Sequence, residues 1–195
     1  MIWFIAGING AGKSTLASNI FVRREFGGHV INPDEIAKTI SFNARLDYRL
    51  ANLAAAEITE GQVFDAVALS DRPIAIETVL SSDKFLPVLE IANSRGIEIG
   101  LAYVALRSVE TSLMRIKTRV AAGLHDVDEE RVRQRWPKTL ANLKKWAPRV
   151  DKLLMFSNND ADRAPVLVAR KLARFDKIEI LDRLEVPEAI AQLET

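Results

Sequence analysis

Short apolar runs alternate along this chain with longer amphipathic stretches. The runs Ile2–Ala6, His29–Asn32, Pro73–Thr78, Glu98–Leu106 and Lys152–Phe156 read as strands. The middle ones are rich in Ile, Val and Ala, the composition of strands covered on both faces of a parallel sheet. The stretches Ser14–Phe26, Asp34–Ile40, Arg45–Leu69, Asp83–Arg95, Val109–Ala122 and Asp128–Trp146 read as helices. Such alternation predicts an α/β fold, a parallel sheet of about five strands with helices on both faces. In such folds ligands bind beyond the carboxyl ends of the strands.

The punctuation agrees. Gly27-Gly28 stops the first helix, Ser82 and Asp83 read as the cap of the helix reaching Arg95, and Gly96 ends it. Pro73 sits at a strand start, where a missing N–H is tolerated. Past the last predicted strand the pattern changes. Val166–Ala173 and Lys177–Leu184, joined by Arg174-Phe175-Asp176, read as a β-hairpin, and Glu188–Leu193 as a short helix. We therefore expect a core over residues 1–160, including a helical lid at 109–147, with residues 161–195 as an appendage of the same domain.

Between the first strand and the first helix lies Gly7-Ile8-Asn9-Gly10-Ala11-Gly12-Lys13-Ser14, the phosphate-binding pattern G-x-x-x-x-G-K-S/T. Its glycines let several backbone N–H groups turn toward one anion, and the helix N-terminus adds partial positive charge. Gly7, Asn9, Gly10, Ala11, Gly12, Lys13, Ser14 and Thr15 are the expected nucleotide contacts. In this pattern Lys13 reaches the β- and γ-phosphates and the Ser14 hydroxyl sits on Mg²⁺. The bland alternative is a glycine-rich turn that binds nothing.

Phosphoryl transfer also needs a carboxylate near the acceptor and cations on the transferring phosphate. Asp34 follows the second strand and opens a helix facing the phosphate loop. It is read as a base or orienting group for an acceptor hydroxyl, against the alternative of a helix N-cap. Glu77 ends a buried strand, where a charge is costly unless it meets a partner, metal or ligand. Mg²⁺ or substrate, the latter together with Thr78, is its expected partner. Arg115, Arg119, Arg131, Arg133 and Arg135 flank Gly123-Leu124-His125-Asp126 and read as a lid over a triphosphate, since the guanidinium fork suits phosphate oxygens. The alternative for about half of them is a surface salt-bridged to Glu129 and Glu130. Trp3, Trp136 and Trp146 are read as packing residues. Ser157-Asn158-Asn159 is either an adenine contact or a plain turn.

Composition narrows the picture slightly. A chain of 195 residues with net charge +1, 48% hydrophobic and 27% charged, is ordinary for a globular domain. The balanced charge speaks against nucleic-acid and membrane partners. There are no cysteines, so no disulfides and no thiolate metal sites. Ile2–Ala6 is too short for a secretory leader, and no apolar run nears the roughly 18 residues of a membrane span. A cytoplasmic protein is expected.

Taken together these residues resemble the zeta toxin family of P-loop small-molecule kinases. The resemblance is carried by GINGAGKST, VINPDEIA, AIETVLSS, the segment YVALRSVETSLMRIKTRVAAGLHDVDEERVRQRW and the following TLANL, in that order between Met1 and Asn159. It does not cover the C-terminal hairpin. The resemblance implies ATP as phosphoryl donor with Mg²⁺, and a hydroxyl of UDP-N-acetylglucosamine as acceptor. Asp34 is then the base, Lys13 and Ser14 handle the phosphates and metal, and Arg119 with Arg133 or Arg135 clamps the phosphates. A separate antitoxin protein is the implied partner. One departure stands out: where the family continues its third-strand glutamate with Gly-Thr-Leu-Arg, this chain has Thr78-Val79-Leu80-Ser81 after Glu77. The missing arginine removes a charged anchor for a substrate diphosphate. Expectation settles on an ATP-dependent kinase for a small acceptor, with a nucleotide-dependent protein-binding switch and a polynucleotide 5′-kinase as the alternatives.

Overall fold

The computed structural model describes residues 1–18, 30–69, 73–123, 126–160 and 163–187. In chain order the elements are β1 (Ile2–Ala6), α1 (Lys13–Ser18), β2 (Val30–Ile31), α2 (Pro33–Ala44), α3 (Tyr48–Leu69), β3 (Ile74–Thr78), α4 (Leu86–Ser94), β4 (Ile99–Ala105), α5 (Val109–Ala121), α6 (Glu129–Trp146), β5 (Lys152–Ser157), β6 (Val166–Lys171) and β7 (Glu179–Ile180). Gly27-Gly28, His29, His125 and the Glu188–Leu193 helix expectation lie outside the described residues.

The strands form one seven-stranded sheet in the order β2-β3-β1-β4-β5-β6-β7. The first five are mutually parallel; β6 runs antiparallel to β5, and β7 antiparallel to β6. The expected hairpin thus forms, as two antiparallel strands added to the edge of the main sheet beyond β5. Only Glu179–Ile180 of its second arm is strand.

Alternation sorts the central strands onto two cores. Ile2, Phe4 and Ala6 of β1 and Leu101 and Tyr103 of β4 join one cluster with α3, α4 and the end of α6. Trp3 and Ile5, with Ala102 and Val104, join the other, with α1, α5 and the start of α6. In the first cluster the Phe4 ring meets Trp146 edge-on at 4.8 Å and Phe85 at 5.3 Å. In the second, Trp3 lies flat against Gly100, where an added Cβ would run into its ring. Helix α6 is the element that passes from one side to the other: Val132 packs in the second cluster, Leu143 and Trp146 in the first.

Several helix boundaries differ from expectation for local reasons. The helix expected from Asp83 starts at Leu86, with Phe85 as an N-cap that makes no side-chain cap bond. Asp83 contributes only its carbonyl, to the Leu86 N–H at 2.9 Å, while its carboxylate pairs with Lys145 at 3.0 Å. Gly96, at φ +67°, does end that helix; Ile97 N–H bonds back to Ala92 C=O and Gly96 N–H to Asn93 C=O. Arg45 does not begin a helix. It closes α2 in the left-handed conformation at φ 51°, and α3 starts at Tyr48.

The hairpin is fastened by a buried lysine. Lys171 on β6, 2% exposed, donates to the carbonyls of Ala147 at 2.9 Å, Pro148 at 3.3 Å and Arg174 at 3.4 Å. Burial pulls its ammonium below the ordinary lysine range. Among the described residues no helix is long and apolar enough to cross a membrane.

Candidate active site

The loop between β1 and α1 is shaped by three positive-φ glycines, Gly7 at 143°, Gly10 at 75° and Gly12 at 95°. All three are also pressed on from outside, Gly10 by the Ser112 carbonyl, which an added Cβ would meet at 2.9 Å. A Cβ at Gly7 would come within 2.5 Å of the Val104 carbonyl, and one at Gly12 would strike the Asn158 amide. Side chains then grip the loop. Ser112 Oγ of α5 donates to Asn9 C=O at 2.6 Å, and Arg135 Nη1 of α6 donates to Asn9 Oδ1 at 3.0 Å. Asn158 Nδ2, just past β5, donates to Ala11 C=O at 2.7 Å. Asn158 is therefore a brace of the phosphate loop, a role the sequence reading did not consider. An asparagine after a strand is also favoured by ordinary turn chemistry, which hid this role.

Lys13 opens α1, and its Nζ curls across the loop mouth to the carbonyls of Gly7 at 3.0 Å and Ile8 at 3.2 Å. Burial lowers its pKa; the nearby carboxylates of Glu77 and Asp34 oppose that, and the Arg119 and Arg135 charges add to it. Ser14 Oγ donates to Glu77 Oε2 at 3.0 Å. Glu77, 7% exposed at the end of β3, has its carboxyl pushed up by burial against the pull of Lys13 and Ser14. The two Ser14 and Glu77 oxygens form a hard-oxygen pair of the kind Mg²⁺ takes from a protein while keeping water and phosphate ligands. Thr15 is exposed on the first turn of α1.

Asp34 is not a cap. Asn32 caps α2, accepting from the N–H groups of Asp34 at 2.9 Å and Glu35 at 3.4 Å, and Pro33 takes the first position. The Asp34 carboxylate is thereby free of capping duty and exposed. It stands close enough to Lys13, Glu77, Arg135 and Tyr48 to act on the protonation of each.

The arginines divide. Arg135 faces the loop through Asn9. Its pKa is lowered by burial first, then by Arg131, with Asp34 opposing. Arg119 is half-buried with its Nε enclosed and hydrogen-bonded to nothing among the described residues, and its charge reaches Lys13. Arg133, by contrast, is exposed and held by Glu129 at 2.8 Å and Glu110 at 3.1 Å. It is the proposed phosphate clamp that the structure puts in surface ion pairs, because a residue two along from Arg135 points off its face. Arg131 is likewise exposed.

Two residues without an assigned role in the sequence reading complete the site. Thr139 and Asn142 lie four and seven positions past Arg135, on one face of α6. Thr139 Oγ1 donates to Val79 C=O at 2.7 Å and approaches Tyr103 Oη at 3.3 Å; Asn142 Nδ2 donates to Leu80 C=O at 3.0 Å. They pin the loop after Glu77, where buried Leu80 holds φ 59° and its N–H donates to Thr78 Oγ1 at 3.1 Å. A left-handed leucine persists only where its surroundings fix it. One helix face thus grips the phosphate loop and the loop after β3. Asn142→Ala would orphan the buried Leu80 carbonyl, and is expected to cost about 1–3 kcal/mol, read as a lower urea midpoint at unchanged slope. Among the described residues no group of three or more His, Cys, Asp or Glu side chains could hold a metal alone.

A largely parallel sheet with a lysine-tipped glycine loop at its carboxyl edge is the architecture of a P-loop nucleotide-binding domain. Residues 2–145 match the family model of an AAA domain, and the chain belongs to that family. An uncharacterized protein of Haemophilus influenzae is 32% identical over 133 residues, covering 68% of this chain and 90% of its own length. Among solved structures, the AvrRxo1-ORF1:AvrRxo1-ORF2 complex with ATP superposes with TM-score 0.66 at 14% identity, over 100% of this chain and 63% of that one. The PezAT chromosomal toxin–antitoxin system of Streptococcus pneumoniae gives 0.58 at 18% identity, over 85% and 70%. At these identities the likeness shows the fold.

Proposed function

We propose that this protein is an ATP-dependent kinase that moves the γ-phosphoryl to a hydroxyl of a small, phosphorylated or nucleotide-linked acceptor. The observation that carries the reading is the meeting of Lys13, Arg119 and Arg135 with Asp34 and Glu77 around one phosphate loop. Three cations and two carboxylates gathered without a substrate are costly to keep together; a triphosphate, a metal and a hydroxyl are what such a set suits.

In the proposed reaction the backbone N–H groups of the loop and Lys13 hold the β- and γ-phosphates. Arg135 and Arg119 stabilise charge on the transferring group. Asp34 orients the acceptor hydroxyl and takes its proton as the new oxygen–phosphorus bond forms and the bond to the β-phosphate oxygen breaks, leaving ADP. Mg²⁺ bound by Ser14 and Glu77 would supply charge neutralisation on the phosphates. The finer reading, a sugar nucleotide such as UDP-N-acetylglucosamine as acceptor and a toxin role with a separate antitoxin, draws on the family resemblance and on the toxin–antitoxin likeness. The Thr78-Val79-Leu80-Ser81 stretch departs from that family at the acceptor loop, so the acceptor assay must be broad. The purified protein should transfer label from γ-labelled ATP to one class in a panel of sugar nucleotides, sugars and oligonucleotides, and EDTA should abolish the transfer. Slow hydrolysis with no labelled acceptor would refute the kinase reading.

A further inference from the structure

The family match ends at residue 145, yet a residue far beyond it is tied to the loops that brace the phosphate loop. Glu185 follows β7, and its neighbour Val186 is buried in the first core cluster. Its carboxylate accepts from three directions. Ser157 Oγ donates to Oε2 at 2.5 Å, Asn159 Nδ2 donates to the same oxygen, and Arg107 Nη2 donates to Oε1 at 2.9 Å. The two attached segments are closed on each other as well, since the Arg107 N–H donates to Asn159 Oδ1 at 2.6 Å.

Each segment leads directly into a brace. Between Ser157 and Asn159 sits Asn158, whose amide holds Ala11 C=O and fills the space that keeps Gly12 a glycine. Immediately after Arg107 comes Ser108, which caps α5 by accepting from Thr111 N–H at 3.2 Å. The next residue of that turn, Ser112, holds Asn9 C=O. One carboxylate therefore anchors both supports of the loop, from a part of the chain that no phosphate-loop motif covers. The three donors also hold the Glu185 carboxyl below its ordinary range, Ser157 contributing most, so the anchor is charged at neutral pH.

We infer that the C-terminal segment is a working part of the nucleotide site, with Glu185 as a positioning residue that sets the phosphate-loop geometry through Ser157, Asn159 and Arg107. This rests on the nucleotide-binding half of the reading above and not on the identity of the acceptor. With Glu185 removed, the post-β4 and post-β5 loops lose their common anchor. Asn158 and Ser112 can then drift while the sheet beneath them stays intact.

The test is isothermal titration of the full chain with MgATP, alongside thermal melting without nucleotide. Glu185→Ala should weaken MgATP binding by about 3- to 30-fold. Glu185→Gln, which keeps an acceptor for Ser157 and Asn159 but loses the charge facing Arg107, should fall between, and it serves if the alanine variant fails to fold. Glu179→Gln is the control. It removes the Arg170 ion pair on the same hairpin, 2.6 Å long and solvent-facing, and should leave affinity unchanged. Wild-type affinity in both Glu185 variants overturns the inference alone. Equal weakening in Glu179→Gln also overturns it, because the effect would then be loss of the hairpin's fold. Absence of binding by the unaltered protein overturns the nucleotide-site reading and this inference together.

Discussion

Asp34→Asn should lower phosphoryl transfer to the acceptor by about 10²–10⁴-fold while MgATP binding stays near that of the unaltered protein. Asparagine has the same shape but cannot take a proton. The helix start survives the change because Asn32, not Asp34, is the cap. What the substitution removes there is a first-turn charge, worth about 0.3–1 kcal/mol, far below the barrier change expected. Asp34 also lies near Lys13 and Arg135 and holds their protons on, so its loss makes those cations slightly easier to deprotonate. That effect pushes the activity limb to lower pH without accounting for a hundredfold loss at neutral pH. Rapid-quench measurement with labelled ATP and saturating acceptor separates the two. Transfer within tenfold of the unaltered protein would remove Asp34 from the role of base.

Lys13→Met should reduce transfer by about 10²–10³-fold and weaken MgATP as well, since in the proposed reaction the ammonium meets the phosphates both before and during transfer. Methionine keeps an unbranched stem, one atom shorter, and carries no charge. The geometry around Nζ is narrow: it bonds the Gly7 and Ile8 carbonyls at 3.0 and 3.2 Å. A guanidinium is too broad for that gap, so Lys13→Arg should not restore activity. A further consequence is electrostatic. Without Lys13 the buried Glu77 loses its strongest opposing charge, and its carboxyl, already raised by burial, rises further. As pH falls, the variant should therefore lose Mg²⁺ binding at a higher pH than the unaltered protein does, read by titrating Mg²⁺ across a pH series. Transfer at the unaltered rate by Lys13→Met would contradict the assignment of the loop itself.

The features legible in the sequence are those that depend on local periodicity. The strands Ile2–Ala6 and Ile99–Ala105 are buried at every position, and an unbroken apolar run between two polar stretches announces that. The phosphate loop is legible because its backbone needs glycine at fixed places. Long-range features stay hidden. Nothing in Thr139 or Asn142 says that helix α6 passes from one core to the other and pins both loops on the way; polar residues on an inner face look like errors until the carbonyls of Val79 and Leu80 are placed beside them. The sequence places the start of the helix after β3 three residues too early, because Asp83 is a good capping type. Its carboxylate is drawn instead to Lys145, on a helix that begins some forty residues later in the chain. Helical spacing already sets Arg133 off the face of Arg135, but not which face meets the phosphate loop; the structure puts Arg135 against Asn9 and Arg133 in a surface ion pair.

The ammonium of Lys171 also governs how this molecule comes apart. It closes three main-chain oxygens around the end of α6 and the hairpin turn. Peeling the last two strands from the sheet therefore unseals the helix that carries Arg135, Thr139 and Asn142. Melting that starts in the terminal strands should therefore loosen the face of α6 that braces both loops before it reaches β1 and β4 at the centre.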